Sequence, residues 1–379
     1  MFDYATLRLI WWALLSVLLV GFAMFDGADL GAAMLHPFVA RKDVERRVVI
    51  NAIGPVWEGN QVWFILGGGA IFAAWPPLYS ASFSGFYLAM LLVLIGFILR
   101  PVAISFRSKK ESPAWRAAWD WIFFVSGLLP ALLFGVAFGN VLLGVPYHFG
   151  PGLRFTYEGD LIGLLRPFPL LCGVISICML LTQGAAWIAG KSEGDVRARA
   201  GRIGALAALA LVALFLAAGL WIAVGVEGYR IESAVDPAGP SNPFGKHVMR
   251  GVGDWLLNYA RHPASALAPA AGLFGALAAA VALAAGAPRL ALLASSLSAA
   301  GVVTTAGFSL FPFLLPSSSN PDQSLTVWDA SSSQGTLGLM LAAAIFFLPV
   351  ILAYTSWVYY VLRGPVTTTA IERGDGHYY

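Results

Sequence analysis

The sequence predicts an all-α integral membrane protein of about nine transmembrane helices, and three observations carry that prediction. Only 11% of the 379 residues are charged while 59% are hydrophobic, whereas soluble domains carry roughly 25% charged residues. Apolar runs of about 20 residues, the length a helix needs to cross the hydrocarbon core, recur along the whole chain. Between them Lys and Arg gather in short clusters rather than in one patch. A 40.3 kDa soluble monomer of this composition would have to hide most of its surface from water, and the mean hydropathy of +0.76 agrees. A net charge of +3 is too small to suggest nucleic acid.

The runs place spans near residues 7–35, 51–75, 79–100, 119–144, 163–189, 203–226, 265–286, 288–312 and 335–362. The first is too long for the apolar core of a signal peptide and contains Asp26 and Asp29, so it reads as a retained membrane helix. In the second, Pro55 is either its first-turn residue or a kink. The seventh and eighth turn tightly at Gly286, Ala287 and Pro288. Loops 227–264 and 313–334 are rich in Pro, Ser, Asn and Gly, with too few apolar residues for a core of their own. A single membrane domain over residues 1–379, with no separate soluble domain, is expected.

Orientation follows from the basic residues, because cytoplasmic loops retain positive charge. Of the 23, 16 fall on one side, led by Arg41, Lys42, Arg46 and Arg47, then Arg107, Lys109, Lys110 and Arg116, then Lys191, Arg197, Arg199 and Arg202. Nine spans then put the N-terminus outside, in the periplasm, and the C-terminus in the cytoplasm.

An ionisable side chain at membrane depth costs several kcal/mol unless it is paired, neutralised or hydrated. Asp26 and Asp29, in the string FDGADLG, lie about 60° apart around a helix and share a side. The second span opens PVWEGNQVW, where Glu58 and Gln61 share a face and Trp63 lies about 140° from Glu58. Helical rise puts Asp26, Asp29 and Glu58 about 9 to 14 Å below the cytoplasmic surface. Arg100 ends the third span and Asp120 starts the fourth on that same side. These groups form either a path by which carboxyls pass protons inward or a buried polar knot. For Asp120 and Arg100 an interfacial helix end is the stronger reading, since Arg snorkels and Asp suits a helix N-terminus. For Glu58, Asp26 and Asp29 the functional reading leads.

The five histidines, His36, His148, His247, His262 and His377, read as loop or tail residues, so a membrane haem on axial histidines is not expected in this chain. Cys172 and Cys178 point to different helix faces and read as small core residues rather than a disulfide or metal site. Met24, Met90, Met179 and Met340 read as packing. Gly67–Gly69 reads as close helix packing. Trp11, Trp12, Trp75, Tyr79, Trp115, Trp119, Trp121, Trp357, Tyr359 and Tyr360 read as an aromatic belt.

Taken in order, RLIWWALLSVLLVGFAMFDGADLG, NAIGPVWEGNQVWFILGGGAIFAAWPPLYS, FSGFYLAMLLVLIGFILRPV, WDWIFF, GVAFGNVLLGVP, LLTQGA, FPFLLPSSSNPDQSLTVWDASSSQ and the tail AIERGDGHYY resemble subunit II of the cytochrome bd-type quinol oxidases, a group that includes cyanide-insensitive oxidases. The resemblance covers nearly the whole chain. It implies a nine-helix plan of two four-helix bundles plus one peripheral helix, in a multi-pass protein of the bacterial inner membrane. It further implies a haem-free subunit paired with a haem-bearing subunit I that carries two haem b, one haem d and the quinol-oxidising loop. Small single-helix subunits are further partners the family admits. The implied complex oxidises quinol at the outer face and reduces O2 to water with cytoplasmic protons, without pumping.

Carried over residue by residue, the resemblance makes Glu58, where some members carry Asp, part of a proton path with Asp26, Asp29 and Asp120. It makes Trp57, Asp29 and Arg100 the surroundings of a structural quinone, and Trp63 a residue near a hydrophobic oxygen entrance. Two other readings compete: a secondary transporter or proton-coupled permease with the acids as its coupling site, and a scaffold without catalytic residues.

Overall fold

The structure, a computed structural model, describes residues 2–373, so His377 and the end of the tail lie outside the described residues. The helices are α1 (Tyr4–Met24), α2 (Asp26–Val39), α3 (Asp43–Ile53), α4 (Trp57–Ala74), α5 (Pro76–Gly85), α6 (Tyr87–Phe106), α7 (Pro113–Leu143), α8 (Pro167–Lys191), α9 (Gly194–Gly225), α10 (Leu257–Arg261), α11 (Leu267–Ala284), α12 (Pro288–Leu310), α13 (Gln334–Val361) and α14 (Thr368–Arg373). Among the described residues, eight helical stretches are long and apolar enough to cross a membrane. The 18-residue α4 is not one of them, because Glu58, Asn60 and Gln61 occupy its first two turns.

Four helices, α8, α9, α11 and α12, pack in a closed ring, each against the next. On its flank, α1–α2, α4, α6 and α7 meet around four rings: Phe22 on α1, Phe64 on α4, Phe97 on α6 and Phe134 on α7, with Phe64 to Phe97 centroids 5.1 Å apart. Aromatic contacts of this kind add directionality to burial. The two groups join where α2 and α7 pack on α8. Outside both lies α13, where only Leu337 and Leu341 are buried.

The later spans end within a few residues of their predicted ranges, but α7 starts at Pro113 rather than 119 and α9 at Gly194 rather than 203, and the first three depart further. The first is broken at Phe25 rather than continuous, and it runs on to Val39. The amide of Ala28 bonds Phe25 O, leaving the Met24 carbonyl to accept from Gln183 Nε2 on α8 at 2.9 Å. Ser295 of α12 in turn donates to Gln183 Oε1 at 2.6 Å. A break inside a membrane helix needs a substitute partner of this sort for the carbonyl it frees. The second span starts at Trp57 rather than residue 51; Pro55 sits in the turn after α3, neither opening nor kinking α4. The third is divided at Phe86 and ends at Phe106, so Arg100 lies inside it.

Three antiparallel hairpins modify the all-α prediction: β1 (Tyr147–Gly150) with β2 (Arg154–Tyr157), β3 (Glu227–Ile231) with β4 (Val248–Val252), and β5 (Phe313–Leu315) with β6 (Leu325–Thr326). They anchor through buried Tyr147, Tyr229 and Phe313 at the end of the bundle away from the Lys/Arg clusters. Trp11 and Trp75 are core residues rather than belt residues, at 5% and 0% exposure. Gly68 and Gly69 have no neighbour near where a Cβ would sit, so the glycine run does not mediate close packing within this chain. Both cysteines are free thiols.

Candidate functional site

The break at Phe25 creates the site. It restarts the chain as α2, placing Asp26 and Asp29 in a first turn, where free amides and the positive end of the dipole favour carboxylates. Both are fully buried. Asp26 Oδ1 lies 2.7 Å from Arg100 Nη2, an ion pair whose angle falls outside hydrogen-bond geometry. Arg100 is itself fully buried, its guanidinium carbon 5.3 Å from the Phe97 ring centroid and 5.9 Å from that of Trp57. Its Nε, Nη1 and Nη2 have no hydrogen-bond acceptor among the described residues.

Asp29 is held from the other side. Asn60 Nδ2 donates to Asp29 Oδ2 at 2.8 Å, and Tyr359 OH donates to Asn60 Oδ1 at 2.7 Å. The Tyr359 ring packs on Phe25 and Trp187, with centroids 5.8 and 5.5 Å away. A hydrogen-bonded chain thus runs from α13 through α4 to α2. The polar string WEGNQ marks Asn60 in the sequence without giving it a role, whereas Tyr359, read there as a belt residue, is instead a hydrogen-bond donor to Asn60.

Asp120 belongs to a second cluster, separate from the first. It is the eighth residue of α7, not its start, and is 2% exposed. Its oxygens meet His36 Nε2, Arg46 Nη1 and Arg107 Nε, each at 2.6 Å. Arg107 and Arg116 also pair with Asp43, at 2.7 and 3.0 Å. This staple joins α2, α3, α7 and the end of α6. It corrects two expectations. Asp120 in this staple, like Arg100 paired with Asp26 in the first cluster, is a buried ion-pair partner rather than an interfacial helix end, and His36 is a fully buried helical residue rather than a loop residue. The arginines made the difference: a hydropathy reading ends the helix at a polar His-Pro pair, but Asp120 gives the imidazole a partner at depth.

Glu58 points elsewhere. It is exposed, on the face of α4 that carries Val62, Ile65 and Phe72 at 36%, 64% and 60% exposure. Trp63, on the opposite side of α4, is 5% exposed, stacked on Phe25 at 5.4 Å and 14°. An apolar cavity of about 610 Å³ is lined by Phe22, Phe64, Phe134, Met179 and Leu180 among others, and Trp63 is not part of its wall.

Comparison with known proteins adds an independent finding. A family model described as cytochrome bd terminal oxidase subunit II matches residues 7–362. The chain is 45% identical over 379 residues, the full length of both, to the cytochrome bd-I ubiquinol oxidase subunit 2 of Escherichia coli K12. It is 30% identical over 368 residues, 96% of this chain and 98% of the relative, to the cytochrome bd ubiquinol oxidase subunit 2 of Bacillus subtilis. A chain of the solved bd oxidase from Geobacillus thermodenitrificans shares the fold, with a TM-score of 0.63 over 94% of this chain and 99% of that one at 15% identity.

Proposed function

The chain belongs to the cytochrome bd terminal oxidase subunit II family, and from that premise we propose that it is the haem-free subunit of a quinol oxidase that reduces O2 to water with cytoplasmic protons. It is a single membrane domain of nine spans in the bacterial inner membrane, with α4 as the span its polar start disguises. The N-terminus lies in the periplasm and the C-terminus in the cytoplasm. A haem-bearing subunit I, with two haem b and one haem d, supplies the redox centres. This chain supports that subunit's assembly and contributes a proton route.

The observation that carries the proposal is the contrast between Glu58 and the paired acids. An unpartnered carboxylate on an outward membrane face is costly, and a partner subunit packed on α4 relieves that cost while giving Glu58 a destination for its proton. Asp26 and Asp29 form the inner part of the same acid set, and Arg100 and Asn60 hold them in place. Asp120, enclosed by His36, Arg46 and Arg107, is committed on three sides; we assign it to holding the basic end together.

Arg100, Trp57 and Asp29 suit a structural quinone. The buried N–H groups of Arg100 lack acceptors, and a quinone carbonyl supplies one, with Trp57 as an apolar platform. Such a quinone fills and rigidifies the first bundle, and no step is assigned to it. Trp63, stacked on Phe25 next to the cavity-lining Phe64, is the residue we place near the route by which O2 travels towards the partner. A proton-coupled permease is the weaker reading, because the buried acids are already committed to an arginine and an amide.

The test is purification of the tagged chain from its membrane in mild detergent. The expected result is a second large subunit and haem bands in the reduced-minus-oxidised spectrum. In that complex Glu58→Gln slows quinol-driven O2 uptake several-fold at unchanged haem content. A colourless, folded single chain sinks the oxidase reading, and an unaltered rate in the variant sinks the proton role alone.

A further inference from the structure

At the basic end, a cleft of about 360 Å³ opens between the start of α9, the end of α8 and the α11–α12 turn. Gly194, Arg197, Gly201, Arg202, Leu283 and Pro288 line it. Arg197 is anchored, donating from Nη2 to Gly286 O at 2.8 Å, so its guanidinium is held at the mouth rather than swinging free. Arg202 is exposed, with no hydrogen-bond or ion-pair partner among the described residues. The neighbouring Arg199 is different: Glu45 holds it at 2.8 Å on another face of α9. Glu193 and Asp195 stand at the start of α9 but do not line the cleft.

Depth identifies the occupant's chemistry. Arg202 is the last charged residue before Glu227, with residues 203–226 uncharged between them. At 1.5 Å per residue that stretch spans about 36 Å, enough to cross the hydrocarbon core and set Arg202 at headgroup level. One and two turns further along the same face of α9, Leu206 and Leu209 are 68% and 51% exposed. On α11, the neighbour of α9 in the ring, Val281 is 69% exposed and lies one turn before Ala284, which lines the cleft. Two cationic groups therefore sit over an apolar slot that faces lipid. A free anion has no use for the slot, and an uncharged lipid has none for the arginines.

We propose that this cleft binds the headgroup phosphate of an anionic phospholipid between Arg197 and Arg202, with its acyl chains along Leu206 and Leu209 of α9 and Val281 of α11. The lipid seals the seam between α9 and α11 at the membrane surface. A juxtamembrane arginine contributes to anionic-lipid binding by about fivefold in affinity.

Native mass spectrometry of the purified complex, titrated with phosphatidylglycerol or phosphatidylcholine, tests the proposal. The intact complex should hold one more tightly bound phosphatidylglycerol than phosphatidylcholine, and Arg202→Gln should weaken that molecule about fivefold. Arg202 has no partner to lose, so this variant keeps its thermal midpoint and separates binding from folding. Arg197→Gln combined with Arg202→Gln should abolish the preference. Equal retention of the two lipids, or unchanged phosphatidylglycerol binding in Arg202→Gln, overturns the proposal. Displacement of the lipid by equimolar inorganic phosphate also overturns it, since the site then reads a free anion.

Discussion

At the scale of single residues, the two acid clusters differ in what surrounds each carboxylate. Asp120 is buried between His36, Arg46 and Arg107, so removing its charge takes the ion-pair partner from Arg46 and leaves Arg107 with the exposed Asp43. Breaking a buried ion pair from one side costs about 3–5 kcal/mol. Asp120→Asn should therefore lower the thermal midpoint of the detergent-solubilised protein sharply, in contrast to Glu58→Gln, whose carboxylate is exposed. A stable Asp120→Asn protein with slowed O2 uptake would instead return Asp120 to the proton path. Asp26 and Asp29 fall between these cases. Arg100 and Asn60 compensate part of their desolvation, and the unpaired N–H groups of Arg100 leave room for one more acceptor.

At the scale of helices, approach distance decides what each element tolerates. A Cβ on Gly31 of α2 would lie 2.8 Å from Gly184 Cα on α8 and closer still to Leu180 O, and Gly184 meets the backbone of α2 in return. The two helices touch main chain to main chain at the point where α2 must be held for its acids to face α4 and α6. Small residues permit such crossings in membranes. Gly31→Val should destabilise by about 1–3 kcal/mol or more, because neither backbone can move aside. The check is the midpoint of thermal aggregation beside that of Gly69→Ala, where nothing lies within reach of the new Cβ. Equal midpoints for the two variants would mean that the α2–α8 crossing is looser than described. In sequence the glycine run at Gly67–Gly69 attracts attention and Gly31 and Gly184 do not. Only the latter pair have partners in the fold.

At the scale of the whole molecule, the hairpins mark one end of the bundle and the basic clusters the other. Charge asymmetry of this size orients a membrane protein. Ser108 and Ile162 are exposed on opposite sides of α7. In intact spheroplasts, a membrane-impermeant maleimide should label Ile162→Cys, and should reach Ser108→Cys only after the membrane is opened. Labelling in the reverse order would invert the orientation, and simultaneous labelling would mean that α7 does not cross. The native thiols, Cys172 half-buried and Cys178 buried, leave a low background.

The sequence by itself determined the membrane class, the existence of the later spans and their ends to within a few residues, the acids of the first span and the family. Each of these follows from the cost of moving one segment out of water, or from a string of residues read in order. It did not determine the break at Phe25, because the donor that permits it, Gln183, comes from a helix remote in sequence. The depth of His36 and the burial of Arg100 were likewise decided by the tertiary structure, since the stability of a charged or polar group in a membrane depends on the group across from it. The same holds for the direction of Glu58. Its place in the chain says that it enters the bilayer, but only the packing of α4 against α1 and α6 says which side it turns to.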